Sequence, residues 1–223
     1  MNYVENGQTV VPFGAASLAT LNPKDFVGRY IIEDLNKDGV VDVGDRSIIG
    51  DPHPDFTGGL NANITFGSFD LSTQFYFSVG NDLYKHYMFY THYGALQSNY
   101  SKDRRDNSWH PVTNPDGKYP LWVGSTNEGD EAGNHSNSMY VEDGSYVRMR
   151  NLTLGYTLPR NIIRVLGLER IRVYAQVSNV FTITKYPGLE PEVRTSSEIN
   201  RGLDYGAYGQ PRQFIFGVNV SFQ

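Results

Sequence analysis

Cysteine is absent from the 223 residues, and its absence excludes disulfides, thiolate metal sites and cysteine nucleophiles together. No apolar run reaches the roughly 18 residues that a membrane-spanning helix requires. Acidic residues outnumber basic ones by 24 to 19, and the sequence has no stripe of Lys and Arg. The net charge of −5 therefore gives no reason to expect nucleic-acid binding.

Motifs for catalysis are also missing. The sequence contains no nucleophile elbow, no P-loop and no glycine-rich dinucleotide turn before a helix. Paired carboxylates for glycoside hydrolysis form in space rather than in sequence, and no pair is singled out. The histidines have none of the spacings of a metal site and are interpreted as exposed loop residues: His53, His86, His92, His110 and His135. The prediction is that the chain is not an enzyme.

Aromatic residues and glycine are abundant. Sixteen Tyr, twelve Phe and 23 Gly are typical of a β-protein with many turns. The final segment, 213–222, shows the pattern most clearly, because apolar residues alternate with polar or small ones and Ile215 is the exception. About ten residues is the length of a tilted strand that crosses a bilayer, although soluble sandwiches contain such strands as well.

Five segments carry the period-two pattern of strands: 58–66, 69–79, 146–157, 171–179 and 213–222. The first two are joined by Gly67 and Ser68, as in a hairpin with a type II′ turn. The connections are alternately short and long: 67–68, 80–144, 158–170 and 181–212. This alternation is typical of an antiparallel up-and-down transmembrane β-barrel with short periplasmic turns and long extracellular loops. A soluble Greek-key sandwich also has unequal loops and is the alternative.

The alternation also predicts which side chains share a face of one antiparallel sheet. One face is expected to be apolar and, in a full barrel, to meet lipid: Leu60, Ala62, Ile64, Phe66, Phe69, Leu71, Phe75, Phe77, Leu152, Leu154, Val173, Ala175, Val177, Phe216, Val218 and Val220. The other face is expected to line the lumen: Asn61, Asn63, Gln74, Asn151, Arg172, Gln176 and Asn219.

An acidic loop at 34–45 has the residue spacing of a calcium site. Oxygen-bearing side chains stand at its positions 1, 3, 5, 9 and 12, and Gly39 at position 6 permits a sharp turn. The predicted ligands, expected to converge on one calcium ion with a structural role, are Asp34, Asn36, Asp38, the carbonyl of Val40, Asp42 and Asp45. The alternative is an Asx-rich turn that binds nothing tightly.

The long connection 80–144 is expected to be mostly irregular, and it carries both tryptophans. Trp109 and Trp122 are candidates for stacking on sugar rings or for anchoring a partner, although packing inside the loop is the commoner fate of a loop tryptophan. An interfacial girdle or a loop core is the favoured interpretation for four tyrosines: Tyr84, Tyr87, Tyr90 and Tyr93.

Four ordered motifs together resemble a known family. The first is Asp34-Leu-Asn-Lys-Asp-Gly-Val-Val-Asp42 leading into Asp45-Arg-Ser-Ile-Ile-Gly-Asp-Pro-His-Pro-Asp-Phe56, and the others are 143–159, 179–193 and the terminal strand. From about residue 28 to the end, this succession resembles the C-terminal part of the SusC/RagA family of TonB-dependent outer-membrane transporters of Bacteroidetes. The one departure is Gln223, which follows the usual terminal aromatic.

The resemblance implies a 22-stranded barrel with an N-terminal plug, in the outer membrane of a Gram-negative bacterium. Residues 1–57 would be an extracellular loop region, and 58–223 would be the C-terminal barrel strands. Expected partners are a SusD-like surface lipoprotein, the TonB complex through the missing N-terminal part, and an oligosaccharide or peptide substrate. Because the sequence shows no secretory signal, plug or TonB box, the chain is expected to be a fragment or a partial gene product. The alternative function is a soluble, calcium-stabilised β-domain that binds carbohydrate.

Overall fold

The computed structural model describes residues 28, 30, 32–92, 99–121, 136–164, 167–193 and 198–222, with only the backbone given at 4–5, 8–9 and 198. The chain divides into two compact units. One unit comprises 1–50 and 84–141, and the other comprises 51–83 and 142–223. The large sheet of the molecule belongs to the second unit.

Strands dominate the secondary structure of the described residues. They are β1 (Val4–Glu5), β2 (Gln8–Thr9), β3 (Phe56–Phe66), β4 (Phe69–Val79), β5 (Asp82–Tyr84), β6 (Val141–Asp143), β7 (Tyr146–Thr157), β8 (Leu168–Thr184) and β9 (Gln213–Phe222). Three short α-helices accompany them: α1 (Tyr87–Thr91), α2 (Lys102–Asp106) and α3 (Arg160–Ile163). Single 3-10 turns lie at Val43–Asp45, Ser138–Tyr140 and Glu198–Asn200. Among the described residues, no helix is long and apolar enough to cross a membrane.

The second unit is built on a five-stranded antiparallel sheet with the order β3-β4-β7-β8-β9. Neighbours in the sheet follow one another along the chain, so its topology is up-and-down. The connections between these strands are short, long, short and long, as the sequence predicts. β5 and β6 pair with each other in a separate two-stranded sheet, as do β1 and β2. The predicted all-β, antiparallel, up-and-down arrangement is confirmed.

A tight hairpin joins β3 to β4. Phe66 and Phe69 are paired across the two-residue loop, and Gly67 has a φ of +59°. A type I′ turn would require a positive φ at Ser68 as well, and Ser68 is not among the described residues with positive φ. The turn is therefore of type II′, as predicted.

The register places the predicted apolar residues on one face of the sheet. Residues paired across an antiparallel sheet point to the same side, so a row of partners identifies a face. One apolar row consists of Ile64, Leu71, Leu154, Ala175 and Phe216, and the next of Phe66, Phe69, Tyr156, Val173 and Val218. The predicted polar residues fall in the rows of opposite parity, such as Asn61, Gln74, Asn151, Ser178 and Gln213. The predicted division into two faces is confirmed.

The apolar face is exposed across the sheet. Leu60 on one edge strand is 60% exposed, Leu154 in the middle 51%, and Phe216 on the other edge strand 78%. A β-sandwich would bury such side chains against a second sheet about 10 Å away. The exposure therefore argues against the sandwich alternative.

β8 is longer than predicted and lies beside an irregularity. The prediction ended this strand at Asn179, whereas it continues to Thr184, so the second long connection is correspondingly shorter. The register between β4 and β7 shifts at Arg150, which is an extra residue on β7, and the register between β7 and β8 shifts at the same place, where Asn179 and Val180 lie opposite Arg150. Asn179 itself has a φ of +53°. This β-bulge interrupts the period-two pattern, and it explains why the alternation in the sequence ends there.

The first unit packs around aromatic side chains. Met88, Tyr119 and Tyr140 are buried together. Partly buried residues surround this cluster: Tyr30, Tyr84, Tyr87 and Met139. Together with α1 and α2, the cluster shows that the connection 80–144 is more ordered than predicted. Two of the four tyrosines thus belong to a loop core, and Tyr93 lies outside the described residues.

His92 is buried, so the interpretation of all histidines as exposed loop residues is wrong for this one. Its ring lies 2.8 Å from the hydroxyl of Thr91 and 3.1 Å from that of Ser101, the N-cap residue of α2. Burial lowers the pKa of His92, against the opposing influence of Asp103. The neutral imidazole is therefore a structural partner of the start of α2. His135 lies outside the described residues.

Candidate functional site

The middle of the sheet's polar face carries a ladder of uncharged side chains. The side-chain amide of Asn151 donates to the side-chain oxygen of Gln74 at 3.0 Å, and its oxygen accepts from the hydroxyl of Ser178 at 3.0 Å. The side-chain nitrogen of Gln176 lies 3.3 Å from the same oxygen of Asn151. Amides and hydroxyls both donate and accept. This part of the face is therefore neutral and able to hydrogen-bond in both directions.

An ion pair lies on the same face, towards the tight-turn end of the sheet. Arg172 donates to Asp70 through Nε at 2.8 Å and through Nη2 at 2.5 Å, which is a bidentate arrangement. Gly155 makes room for the pair, because a Cβ there would collide with the guanidinium. The sequence placed Arg172 on the polar face, but it gave no sign of its partner, which lies 102 residues away.

A denser ionic cluster lies at the long-loop end of the polar face. Arg148 is buried and donates to the carboxylates of Glu190 and Glu192. Arg150 donates to the other oxygen of Glu192 at 3.0 Å, and its guanidinium lies 4.2 Å from the centre of the Tyr76 ring. Two arginines on a strand are thus neutralised by two glutamates from the loop that follows β8. None of these four charged residues was predicted as a site residue.

Buried carboxylates also order the described parts of that loop. Glu190 accepts the N–H of Gln210 at 3.0 Å, which joins the two arms of the loop. The hydroxyl of Tyr186 donates to Asp204 at 2.6 Å, and both residues are buried. Asp204 accepts the N–H of Gly206 at 2.8 Å through its other oxygen. The loop is therefore preorganised by contacts within the unit that contains the sheet.

The acidic loop forms a compact turn held together by its own carboxylates. Asp34 at its start accepts the N–H of Gly39 at 2.9 Å, and Gly39 has a φ of +89°, as the predicted sharp turn requires. Asp45 at its end accepts the N–H groups of Leu35 at 2.9 Å and of Asp42 at 2.7 Å. The two ends of the loop are thereby closed on each other through backbone groups.

The hydrogen bonds at the end of the acidic loop favour the ionised form of the Asp45 carboxyl. The N–H of Asp42 lowers the pKa of the Asp45 carboxyl, and the N–H groups of Asn36 and Leu35 act in the same direction. Asp38 accepts the N–H of Val40 at 2.8 Å. In the parts of the chain that the structure describes, no group of three or more His, Cys, Asp or Glu side chains is arranged to hold a metal ion. The predicted ligands thus form an Asx-rich turn, and calcium binding stays a prediction.

Trp109 is half-buried in the first unit. Its ring lies against Gly28, where a Cβ would come within 2.5 Å of it, and its backbone N–H donates to the backbone carbonyl of Tyr119 at 2.7 Å. This environment matches a packed loop tryptophan with part of its surface in solvent. Trp122 lies outside the described residues. A role for either tryptophan in binding a partner or ligand stays a prediction.

Known proteins align with most of the chain, although no family model matches it. The TonB-dependent receptor P3 of Formosa agariphila is 36% identical over 211 residues, which cover 92% of this chain and 20% of that receptor. The TonB-dependent receptor SusC of Bacteroides thetaiotaomicron is 27% identical over 191 residues, covering 85% of this chain and 17% of SusC. A solved structure of the RagAB peptide importer in its closed-closed state matches 78% of this chain and 18% of its own, with a TM-score of 0.61 and 25% identity. The chain belongs to the SusC/RagA family of TonB-dependent receptors.

Membership of the SusC/RagA family identifies the kind of structure to which the sheet belongs. The structural neighbours are barrels of TonB-dependent receptors, so the five strands are barrel strands. The relatives are receptors and transporters rather than enzymes, and proteins of this family reside in the outer membrane of Gram-negative bacteria. The chain spans about a fifth of the length of the curated relatives it matches.

Proposed function

We propose that the chain forms C-terminal strands of the barrel of an outer-membrane nutrient importer in a Gram-negative bacterium. The importer takes up oligosaccharides or peptides and draws its energy from the TonB complex through a part of the receptor outside this chain. The exposed apolar face of the sheet meets lipid, and the face with the amide ladder and the ion pairs lines the interior.

The observation that supports this proposal best is the contrast between the two faces of one sheet. Large side chains from every strand of the sheet are exposed on a single face: Leu60, Ile64, Phe66, Phe69, Leu154, Val173, Phe181, Phe214, Phe216 and Val218. A soluble protein rarely leaves so large an apolar surface in water. The outward face of a membrane barrel has this composition, and its interior is polar. The soluble, calcium-stabilised alternative would require the apolar face to be covered.

The experiment uses the full-length receptor that contains this chain. We expect it in the outer-membrane fraction, extractable only with detergent, and we expect deletion of its gene to abolish growth on an oligosaccharide or peptide source. Folded receptor in the aqueous fraction would favour the soluble alternative. Unchanged growth of the deletion strain on every oligosaccharide and peptide source tested would contradict the import function.

A SusD-like surface lipoprotein is the proposed partner at the mouth of the barrel, with Trp109 and Trp122 as anchors. Trp109→Ala and Trp122→Ala in the full-length receptor are expected to weaken co-purification of the lipoprotein, because buried aromatic anchors dominate interface energies. Trp109→Phe, which keeps an aromatic ring against Gly28, serves as the control. Loss of barrel assembly without a separate binding defect would show that both tryptophans are structural.

The acidic loop is proposed to bind one calcium ion that rigidifies an extracellular loop. Calcium prefers six to eight oxygen ligands, and Asp38 holds the central carboxylate of the predicted set. Calcium titration of the full-length receptor by calorimetry is expected to show one site that Asp38→Ala weakens by about tenfold or more, because one charged ligand is lost. Asp116→Ala, outside the acidic loop, is the control. Equal affinity in wild type and Asp38→Ala would reduce the loop to an ordinary turn.

A further inference from the structure

A small open cavity lies at the long-loop end of the polar face, within the unit that carries the sheet. Its volume is about 220 Å³, below the roughly 300–1,000 Å³ of sites for drug-sized ligands, so it has room for a single ring rather than a chain. Strands β7 and β8 supply Arg148, Asn179, Thr182 and Thr184, and the loop after β8 supplies Glu190 and Gln210.

The floor of this cavity is charged but internally compensated. Glu190 accepts from Arg148 and from the N–H of Glu192 through one oxygen, and from the N–H of Gln210 through the other. Arg148 and Arg150 face two glutamates, so the cluster has no net charge. Because each charge already has its counter-charge at hydrogen-bond distance, an ionic ligand would gain little by entering. The cavity therefore favours a neutral ligand.

Polar groups with spare hydrogen-bonding capacity line the opening. Asn179 uses its side-chain nitrogen on the carbonyl of Pro211, and its oxygen has no donor in the described residues. The hydroxyl of Thr182 accepts from Arg148 at 2.9 Å, so its own proton is available. The side-chain amide of Gln210 is exposed and makes no bond within the described residues. The opening thus presents both donors and acceptors.

Two backbone irregularities shape the cavity. Asn179 has a left-handed φ, which non-glycine residues seldom adopt, and Arg150 is an extra residue on β7 relative to β4. The return arm of the loop is tied to the same place, because Asn179 donates to Pro211 at 2.9 Å and Arg212 donates to the carbonyl of Val180 at 2.6 Å. Bulges and left-handed residues cluster at binding sites, where they redirect side chains.

We infer that this cavity is a ligand subsite for one neutral, hydroxyl-rich ring of a saccharide. The inference rests on the proposed import function. A sugar hydroxyl donates and accepts at one oxygen, so a single hydroxyl can accept from Thr182 and donate to Asn179. In a peptide bond the donor N–H and the acceptor C=O point to opposite sides of the chain, so no single group can contact both Thr182 and Asn179 in this way. Peptide termini are charged, and the charged side chains at the floor of the cavity are already paired with one another.

Binding is measured with the purified full-length receptor on an array of neutral and anionic oligosaccharides, beside a library of short peptides. Gln210→Ala removes the free amide and keeps the backbone N–H that Glu190 accepts. Thr182→Val removes the hydroxyl, and Thr182→Ser restores it. Gln213→Ala, at the start of β9 and outside the cavity, is the matched control. The heat-modifiable band of the barrel on a gel reports that each variant is folded.

We expect wild type and Gln213→Ala to bind at least one neutral oligosaccharide equally. Gln210→Ala and Thr182→Val should weaken that binding about three- to tenfold, the value of one neutral hydrogen bond, and Thr182→Ser should recover it. Binding confined to anionic sugars or peptides, no binding of neutral sugars, or equal binding by Gln210→Ala would overturn the subsite. Import retained in cells despite any of these results would leave the proposed function standing. A wild-type receptor that imports nothing would contradict the function itself.

Discussion

Leu154→Arg is expected to reduce assembly of the full-length receptor in the outer membrane, whereas Thr153→Arg beside it is expected to be tolerated. The two residues are neighbours on β7 but point to opposite faces: Leu154 is paired with Leu71 and Ala175, and Thr153 with Ser72 and Gln176. An arginine facing lipid costs between about 0–1 kcal/mol near the membrane interfaces and about 2–4 kcal/mol at the bilayer midplane, whereas the cost is small on a face that lines a polar interior.

The measurement for this pair is the fraction of receptor that migrates as the folded, heat-modifiable form in outer-membrane preparations. Leu154→Met controls for loss of the leucine itself, because it conserves volume and apolar character. Equal assembly of the two arginine variants would contradict the assignment of the faces to lipid and interior. If Thr153→Arg failed to assemble while Leu154→Arg assembled normally, the lipid-facing and interior faces would be the reverse of those assigned.

Arg148→Met is expected to destabilise the receptor by about 3–5 kcal/mol, because it leaves the carboxylate of Glu190 buried without its cation. Arg150→Met is the matched control: it makes the same change two residues along the strand, at a side chain that is one-third exposed and also paired with Glu192. Since partly exposed ion pairs contribute roughly 0–1 kcal/mol, the control should unfold almost as wild type does.

Two readouts follow the Arg148 variants: the thermal midpoint of unfolding in detergent, and limited proteolysis of the loop after β8. The double variant Arg148→Met with Glu190→Leu removes both buried charges and should recover part of the lost stability. If Arg148→Met and Arg150→Met unfold at the same temperature, the buried pair does not hold the loop. The same conclusion would follow if the destabilisation of the double variant equalled the sum of the destabilisations caused by Arg148→Met and Glu190→Leu alone.

The sheet could be predicted from the sequence because its strands and its tight turn are each specified by residues that are close together in the chain. Alternation of apolar and polar residues marked the five strands, and Gly67 followed by Ser68 specified the turn between β3 and β4. The same alternation fixed which residues share a face, because the period of a strand is two. The end of β8 was missed, since the left-handed Asn179 shifts the phase of the pattern in the middle of the strand.

The ionic cluster could not be predicted, because its members meet only after the sheet has its register and the loop has folded back. Arg148 and Glu190 are 42 residues apart. The sequence did contain a weak signal, with arginines at 148 and 150 in a strand and glutamates at 190 and 192 in a loop, each pair two residues apart. Such spacing is common, and the pairing depends on the loop after β8 folding its two glutamates back onto the strand.

The extra length of β8 places its end beyond the neighbouring strand. β9 begins at Gln213 opposite Ser178, so the last six residues of β8, from 179 to 184, have no partner in β9, and the last four of them pair with β7. At about 3.3 Å per residue, this extension projects roughly 20 Å past the start of β9. In a membrane-embedded receptor the extension would form part of the rim on the long-loop side, with the loop after β8 bound to it through Arg148 and Glu190. A solute arriving from outside would then meet the cavity at the rim, before it entered the interior of the barrel.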